Sequence, residues 1–152
     1  MRGQTAVEYL MTYGWAILII LIVAGVLAYY GIFAPAGFLG PTARGFGQVQ
    51  VLTPWSLATT GTLTINIENR VGGTINVTEL NMTLGDNPTV YTDTLTTPVQ
   101  IVSGQQGIVQ GTFSLPSANR GDSWTVTLTI YYEYPPGGAT FSSTGTLSGT
   151  YS

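Results

Sequence analysis

Apolar residues run without interruption through the first part of the chain. Leu, Ile, Val and Ala dominate from Leu10 to Phe33, and no residue from Tyr9 to Ala43 is charged. A helix from about Tyr9 to Tyr30 would be roughly 31 Å long at about 1.5 Å per residue, which matches a hydrocarbon core about 30 Å thick. Pro35 is a plausible stop signal beyond it. The pattern therefore predicts a membrane-spanning helix inside an apolar segment at 4–34.

Aromatic residues mark both ends of this helix, as they do at the two interfaces of a bilayer. They are Tyr9, Tyr13 and Trp15 at one end and Tyr29 and Tyr30 at the other. Arg2 precedes the helix and no basic residue follows it closely. By the positive-inside rule the N-terminus is expected in the cytoplasm and the rest of the chain outside.

Beyond a Gly/Pro-rich linker at 35–46, the pattern changes from helical to alternating. In DSWTVTLTIYYEY and GTLTINIENR, apolar and polar residues alternate along the segment. Seven or eight such segments follow, separated by turn signals such as Gly85-Asp-Asn-Pro and Pro135-Pro-Gly-Gly. Short strands with period-2 patterning predict an immunoglobulin-like β-sandwich at 47–152, with a barrel as the alternative. The expected fold class is α+β: a long N-terminal apolar helix followed by an all-β domain.

The inward positions of these strands give the expected core. Its members are Val49, Val51, Leu63, Ile65, Ile67, Ile75, Val77, Leu80, Val109, Phe113, Trp124, Val126, Leu128, Ile130 and Leu147.

Composition excludes several classes of function. Charged residues make up 7% of the chain, whereas soluble domains carry about 25%. With neither Cys nor His, thiolate chemistry, zinc sites and Ser-His-Asp triads are ruled out. Four basic residues are too few for a nucleic-acid footprint. We therefore expect a protein that is not an enzyme, with no catalytic residue, cofactor or metal and no nucleic-acid partner.

Its length separates the apolar segment from a cleaved secretory signal, and two further details separate it from a plain anchor. A secretory signal has an apolar core of about 7–15 residues, which is shorter than this run. Small residues that let helices approach closely are spread along the segment. Those we single out are Gly14, Ala24, Gly25 and Ala28. The stronger detail is Glu8, because a carboxylate at the edge of the hydrocarbon is costly and implies a partner. A new α-amino group at Gln4, or that of a neighbouring chain, would supply the cation.

The N-terminal stretch RGQTAVEYLMTYGWAILIILIVAGVL resembles archaeal type IV pilins, whose precursors carry a class III signal peptide. The resemblance covers about thirty residues: a short basic leader ending in Gly, a Q-x-[ST/A]-x-E-Y motif and a long apolar helix. It implies a leader at 1–3 and cleavage between Gly3 and Gln4 by a prepilin peptidase. Glu8 and Tyr9 then stand at the family's assembly motif, although a three-residue leader is short for the family.

The resemblance implies a function as the major structural subunit of a pilus on the cell surface, with adhesion as the expected role. Identical subunits, the membrane before assembly and the pilus assembly machinery would be its partners. Two alternatives remain. One is a monomeric, single-pass membrane-anchored β-sandwich that binds a substrate or sugar in a polar-aromatic pocket. The other is an archaellum filament subunit, whose N-terminal motif usually differs.

Three features of the β domain are candidates for other roles. Asn76 and Asn81 stand in N-x-[ST] sequons and are possible glycosylation sites. Abundant Thr on the outward strand positions suits strands and would also suit O-linked sugars. Arg120-Gly121-Asp122 matches an adhesion tripeptide, and its setting predicts a tight turn before a strand.

Overall fold

A computed structural model describes residues 2–30, 40–135 and 137–152. The chain divides into two compact units, Met1–Phe38 and Leu39–Ser152. In its described residues, 2–30, the first contains one helix, α1 (Arg2–Tyr29). It begins inside the predicted leader and ends one residue before the expected Tyr30, while the last predicted helical residues, 31–34, lie outside the described residues.

The second unit, which we call the β domain, consists of eight antiparallel strands. They are β1 (Thr42–Arg44), β2 (Val49–Leu57), β3 (Thr62–Asn69), β4 (Ile75–Leu84), β5 (Val90–Ile101), β6 (Gln106–Thr112), β7 (Ser123–Glu133) and β8 (Thr140–Thr150). Five strands form one sheet in the order β1-β8-β7-β4-β5, and three form the other in the order β2-β3-β6. One helix followed by two antiparallel sheets confirms the α+β class.

The two sheets face each other across a single hydrophobic core. Alternation decides which side chains enter it: every second residue of β3 and β7 is buried, while the residues between them remain partly or fully exposed. All fifteen predicted core residues are buried, and they are joined by Leu57, Val71, Met82, Ile101, Tyr132 and Tyr151. The sheets approach so closely that a Cβ atom on Gly111 of β6 would lie 2.9 Å from Leu80 Cδ1 of β4.

A bulge in β4 explains how Val77 and Leu80, three residues apart, both face the core. The register of β4 shifts between Val77 and Glu79 against both of its neighbours, β5 and β7. The bulge adds one residue to β4 at this point, so that Leu80 faces the core as Val77 does. Strict alternation alone would have turned Leu80 outward.

Two strands differ from the sequence-based expectation. The segments TVYTDTL at 89–95 and VQIVS at 99–103 predict two separate strands, but β5 runs through both, with Leu95 to Pro98 opposite the β4 bulge and outside the paired register. The linker predicted at 35–46 was wrong in its last part, because Thr42–Arg44 forms β1 on the edge of β8. A segment of three residues is too short to show an alternating pattern, so only its pairing with β8 identifies it as a strand. Residues 35–39 lie outside the described residues.

Side-chain contacts, in addition to backbone pairing, hold residues 42–47 at the edge of β8. Thr42 Oγ1 and Ser148 Oγ are 2.7 Å apart, and Gly47 N donates to Ser143 Oγ at 3.0 Å. Gly145 allows the closest approach, since a Cβ atom there would lie 2.5 Å from the Phe46 ring and 2.6 Å from the carbonyl oxygen of Arg44. The chain is therefore fixed to the β domain before β2 begins.

Candidate functional site

The outstanding surface of the protein is that of α1. Within it, Thr5–Tyr29 is long and apolar enough to cross a membrane, and its large apolar side chains are exposed. Large side chains point outward on every side of the helix, including Leu10, Ile20 and Val23. A helix that is apolar all round is stable in a membrane or surrounded by other protein, and water is a poor environment for it.

Glu8 lies in the second turn of α1, and its main-chain oxygen accepts the one side-chain hydrogen bond found among the described residues of the helix. Thr12 Oγ1 donates to the main-chain oxygen of Glu8 at 2.9 Å. The rings of Tyr9 and Tyr13, one turn apart, have centroids 4.4 Å from each other. No cation pairs with Glu8 among the side chains that the structure describes, where the salt bridge is Arg70–Glu68 at 2.8 Å. Gly3 and Gln4, the predicted processing site, lie in the first turn of the helix.

The small residues singled out in the sequence share one side of α1. Gly14 and Gly25 are eleven residues apart, which is about three turns, and Ala24 and Ala28 are about one turn apart. A Cβ atom on Gly14 or on Gly25 would meet nothing within 4 Å, so the backbone is open to a neighbour there. Glu8 lies about 120° around the helix from Gly14. The predicted assembly residues therefore face several directions, which suits a helix contacted from more than one side.

The two sequons lie on β4, which β5 and β7 flank in the five-stranded sheet. Asn76 and Asn81 are both half-buried on its outer face. Asn81 stands opposite Thr92 of β5 and Thr129 of β7, and its Oδ1 has no hydrogen-bond partner among the described residues. Whether either is glycosylated stays a prediction.

The outer face of this sheet is covered by hydroxyl groups. Thr129 and Thr144 of neighbouring strands have their Oγ1 atoms 2.9 Å apart. The outward positions of β7 and β8 are almost all Thr or Ser, in line with the expected hydroxyl-rich exterior.

The Arg-Gly-Asp sequence forms a tight turn, as expected. Asp122 N donates to Asn119 O at 3.1 Å, and Asn119 N donates to Asp122 Oδ2 at 3.0 Å. Gly121 takes a φ of 90°, a left-handed conformation that glycine adopts readily. Its N–H and the carbonyl oxygen of Asp122 both bond to Tyr151, which ties the turn to the end of β8.

Next to this turn lies a cleft that the sequence did not reveal. Its volume is about 340 Å³, and Leu84, Ser117, Asp122, Ser123, Trp124 and Tyr151 are among its lining residues. Trp124 was predicted as a core residue, but Tyr151 was not singled out and Ser117 belongs to a segment without a periodic pattern. Burial raises the pKa of the Tyr151 phenol, and the nearby Asp122 and Tyr91 raise it further, so this hydroxyl stays protonated at neutral pH.

Neither a scan against protein-family models nor a search of the curated proteins finds a match to this chain. Within the described residues, no group of three or more His, Cys, Asp or Glu is placed to hold a metal ion. The case for a function therefore depends on α1 and on the surface of the β domain.

Proposed function

We propose that the protein is the structural subunit of an archaeal type IV-like pilus, which polymerises through α1 into a helical filament on the cell surface. The observation that carries the proposal is the apolar surface of Thr5–Tyr29, none of which the protein itself buries. On the order of a thousand Å² of apolar surface is worth tens of kcal/mol at about 25 cal/mol per Å². Such a helix must stay in a bilayer or be covered by copies of itself.

The same surface serves two successive states. Before assembly, α1 spans the cytoplasmic membrane with the β domain outside. In the filament, helices of many copies pack together and exchange lipid contacts for one another. Contacts of this kind are heterologous and do not close into a ring, so they generate an open helix of subunits.

In this proposal, leader cleavage and the Glu8 carboxylate link the membrane state to the filament state. Cleavage between Gly3 and Gln4 would create an α-amino group about one turn before Glu8. In the filament, this carboxylate would pair with the amino group of a neighbouring subunit in a medium of low dielectric constant. Loss of one member of such a pair costs about 3–5 kcal/mol.

In the same proposal the β domain is an immunoglobulin-like sandwich that forms the outer sheath. If β2 to β8 are counted as strands one to seven, the two sheets have the orders 1-2-5 and 4-3-6-7. The constant-type immunoglobulin order is 1-2-5-4 and 3-6-7. The two arrangements differ in the sheet that holds the fourth strand. The hydroxyl-rich face of the larger sheet suits an exposed and glycosylated exterior, with Asn76 and Asn81 as further candidate acceptors.

The test is the substitution Glu8→Gln, which keeps the shape of the side chain and removes its charge. We expect a normal amount of subunit in the membrane fraction, normal leader removal and few or no filaments in the sheared fraction. Removal of the charge lowers the cost of burying this side chain, so insertion should not suffer. Glu79→Gln on β4 is the matched control and should leave filament yield unchanged. A wild-type yield of filaments from Glu8→Gln would refute the role of this carboxylate.

The second candidate is a membrane-anchored β-sandwich that binds a ligand as a monomer. The cleft beside Asp122 favours it, because this candidate needs a polar-aromatic pocket. Electron microscopy of sheared material separates the two: a pilin gives filaments that contain the subunit, whereas a monomeric anchor gives none and stays in the membrane fraction.

A further inference from the structure

A groove crosses the outer face of the three-stranded sheet. Its volume is about 390 Å³, within the usual range for small-ligand sites. Thr64 and Asn66 of β3 form its floor, and Pro54 of β2 and Ile108 of β6 stand on either side. Because β3 lies between them, β2 and β6 are two strand spacings apart, which is roughly 10 Å. The groove is therefore wide enough to hold one flat ring.

The side chains that line this groove are open to solvent. Pro54 and Gln106 are exposed, Thr64 and Asn66 are half-buried, and Ile108 is 70% exposed. The other outward residues of β6 are Gln or Thr, so Ile108 is the exception among them. A single exposed Ile is common on protein surfaces, but this one stands directly opposite Asn66 and forms one side of the groove. It offers an apolar surface to a bound molecule.

Two side-chain amides supply hydrogen-bonding groups to the groove. Asn66 Nδ2 donates to Gln106 Oε1 at 3.0 Å, which holds the two amides beside each other. In either orientation of the amides, this bond leaves a carbonyl oxygen and several N–H groups of the pair for a ligand. The Thr64 hydroxyl accepts from Gln110 Nε2 at 3.3 Å and keeps its own proton to donate. A ligand can thus both donate and accept hydrogen bonds here.

The charges around the groove favour a neutral ligand. None of the described side chains that line it is charged. The carboxylate of Glu68, further along β3, is paired with Arg70 at 2.8 Å. A charged ligand would lose its hydration without gaining a counter-ion. The ligand should therefore be neutral, with a hydrogen-bond donor and an acceptor close together and an apolar group that reaches Ile108.

We propose that this groove binds a neutral sugar residue that carries an acetamido group. The acetamido N–H donates to the remaining carbonyl oxygen of the Asn66–Gln106 pair, and its C=O accepts from an N–H of the same pair. The acetamido methyl group lies on Ile108. A ring oxygen accepts from the Thr64 hydroxyl, and the C–H face of the ring packs on Pro54. The groove lies wholly within the β domain, so binding does not depend on polymerisation.

The direct test uses full-length protein with ¹⁵N-labelled side-chain amides, in micelles of a zwitterionic detergent without a sugar headgroup. The Gln106 amide signals are assigned with Gln106→Glu. The probes are the methyl glycosides of N-acetylglucosamine and N-acetylgalactosamine. The control compounds are methyl glucoside, which has no acetamido group, and N-methylacetamide, which has no sugar ring. We expect a saturable shift of the Gln106 signals with at least one probe, and no shift with either control compound at the same concentrations.

Three variants locate the binding. Asn66→Ala should weaken it about tenfold, because it removes a hydrogen bond to the acetamido group and the contact that holds Gln106 in place. Ile108→Ser should weaken it about fivefold, since the methyl group loses its apolar partner. Val90→Ser is the matched control: it replaces an exposed apolar residue of β5 outside the groove and should leave the affinity unchanged.

The proposal is overturned if neither probe moves the Gln106 signals at its highest soluble concentration, if either control compound moves them equally, or if Ile108→Ser binds as tightly as wild type. Electron microscopy of material sheared from Ile108→Ser cells should show a normal yield of filaments, which keeps this result separate from the test of assembly. A loss of those filaments would show that a second copy of the chain occupies the groove, and it would overturn the proposal as well.

Discussion

At the scale of single residues, Asn69 is the polar side chain on which the β domain depends most. It is fully buried, and its Nδ2 donates to the carbonyl oxygens of Gly73 and Ile101, each at 2.9 Å. Its Oδ1 accepts from Val71 N at 2.8 Å. One amide thus satisfies three main-chain groups, two in the connection between β3 and β4 and one in the last residue of β5.

Asn69→Ala should lower the free energy of unfolding by roughly 3 kcal/mol or more, because it leaves buried main-chain groups without partners and opens a cavity. Thermal unfolding in micelles, followed by the β-sheet circular dichroism signal, measures the loss. Asn66→Ala on the same strand is the matched control. That amide bonds Gln106 Oε1 at the surface, so its loss should change stability by about 0.5 kcal/mol or less. Equal losses from the two variants would contradict the role given to Asn69.

The sequence contained part of this information. Asn69 follows Leu63, Ile65 and Ile67 at intervals of two, so strand periodicity places it on the inner face. Periodicity cannot supply its partners, because Val71 and Gly73 lie in an irregular connection and Ile101 is 32 residues away in the chain. Trp124 is a similar case: its burial was predicted, but its unpaired indole and the neighbouring cleft depend on the path of residues 116–118 over the end of the sheets.

At the scale of elements, α1 and the long strands could be predicted, whereas the short and irregular ones could not. The helix and β7 have long, uniform patterns, so their burial or exposure repeats many times. β1 has three residues, and the two halves of β5 are joined across unpaired residues. In both cases a neighbouring strand determines the structure, and local sequence carries little signal.

β1 also permits a test by proteolysis, because the described β domain has just three trypsin sites, at Arg44, Arg70 and Arg120. Arg120 lies in an exposed turn, whereas Arg44 is held in β1 against β8. Trypsin should therefore cut wild-type protein after Arg120 before it cuts after Arg44. Gly145→Ala places a methyl group against Phe46 and the Arg44 carbonyl oxygen, at an overpacking cost of about 1–3 kcal/mol.

Cleavage after Arg44 should consequently become about tenfold faster in Gly145→Ala, since it follows the population of the opened segment. Mass spectrometry of timed digests gives the rate. Gly72→Ala is the control: a Cβ atom there meets nothing within 4 Å, so the rate should stay at the wild-type value. If Gly145→Ala digests like wild type, β1 is not held by the contact between Phe46 and Gly145.

At the scale of the whole molecule, the two units differ in where their apolar side chains lie: they are exposed on α1 and buried inside the β domain. The hydrophobic core described above lies in the β domain, whereas the large apolar side chains described on α1 are exposed. The change from a continuous apolar run to alternation predicted this division from the sequence. For the filament proposed above, the arrangement of subunits was beyond prediction, because it depends on contacts between copies that one chain does not encode as a local pattern.

The division leads to a prediction about solubility. A chain that begins at Gly40 retains β1, Phe46 and the complete core, so it should fold alone and remain monomeric in detergent-free buffer. The full chain, moved from micelles into the same buffer, should become polymeric, because nothing else covers Thr5–Tyr29. Light scattering after size exclusion measures the mass of each, and circular dichroism reports the fold. The full chain kept in micelles serves as the control and should stay monomeric. A full chain that remains a folded monomer in plain buffer would show that the β domain can cover the helix, and would remove the main physical reason for assembly.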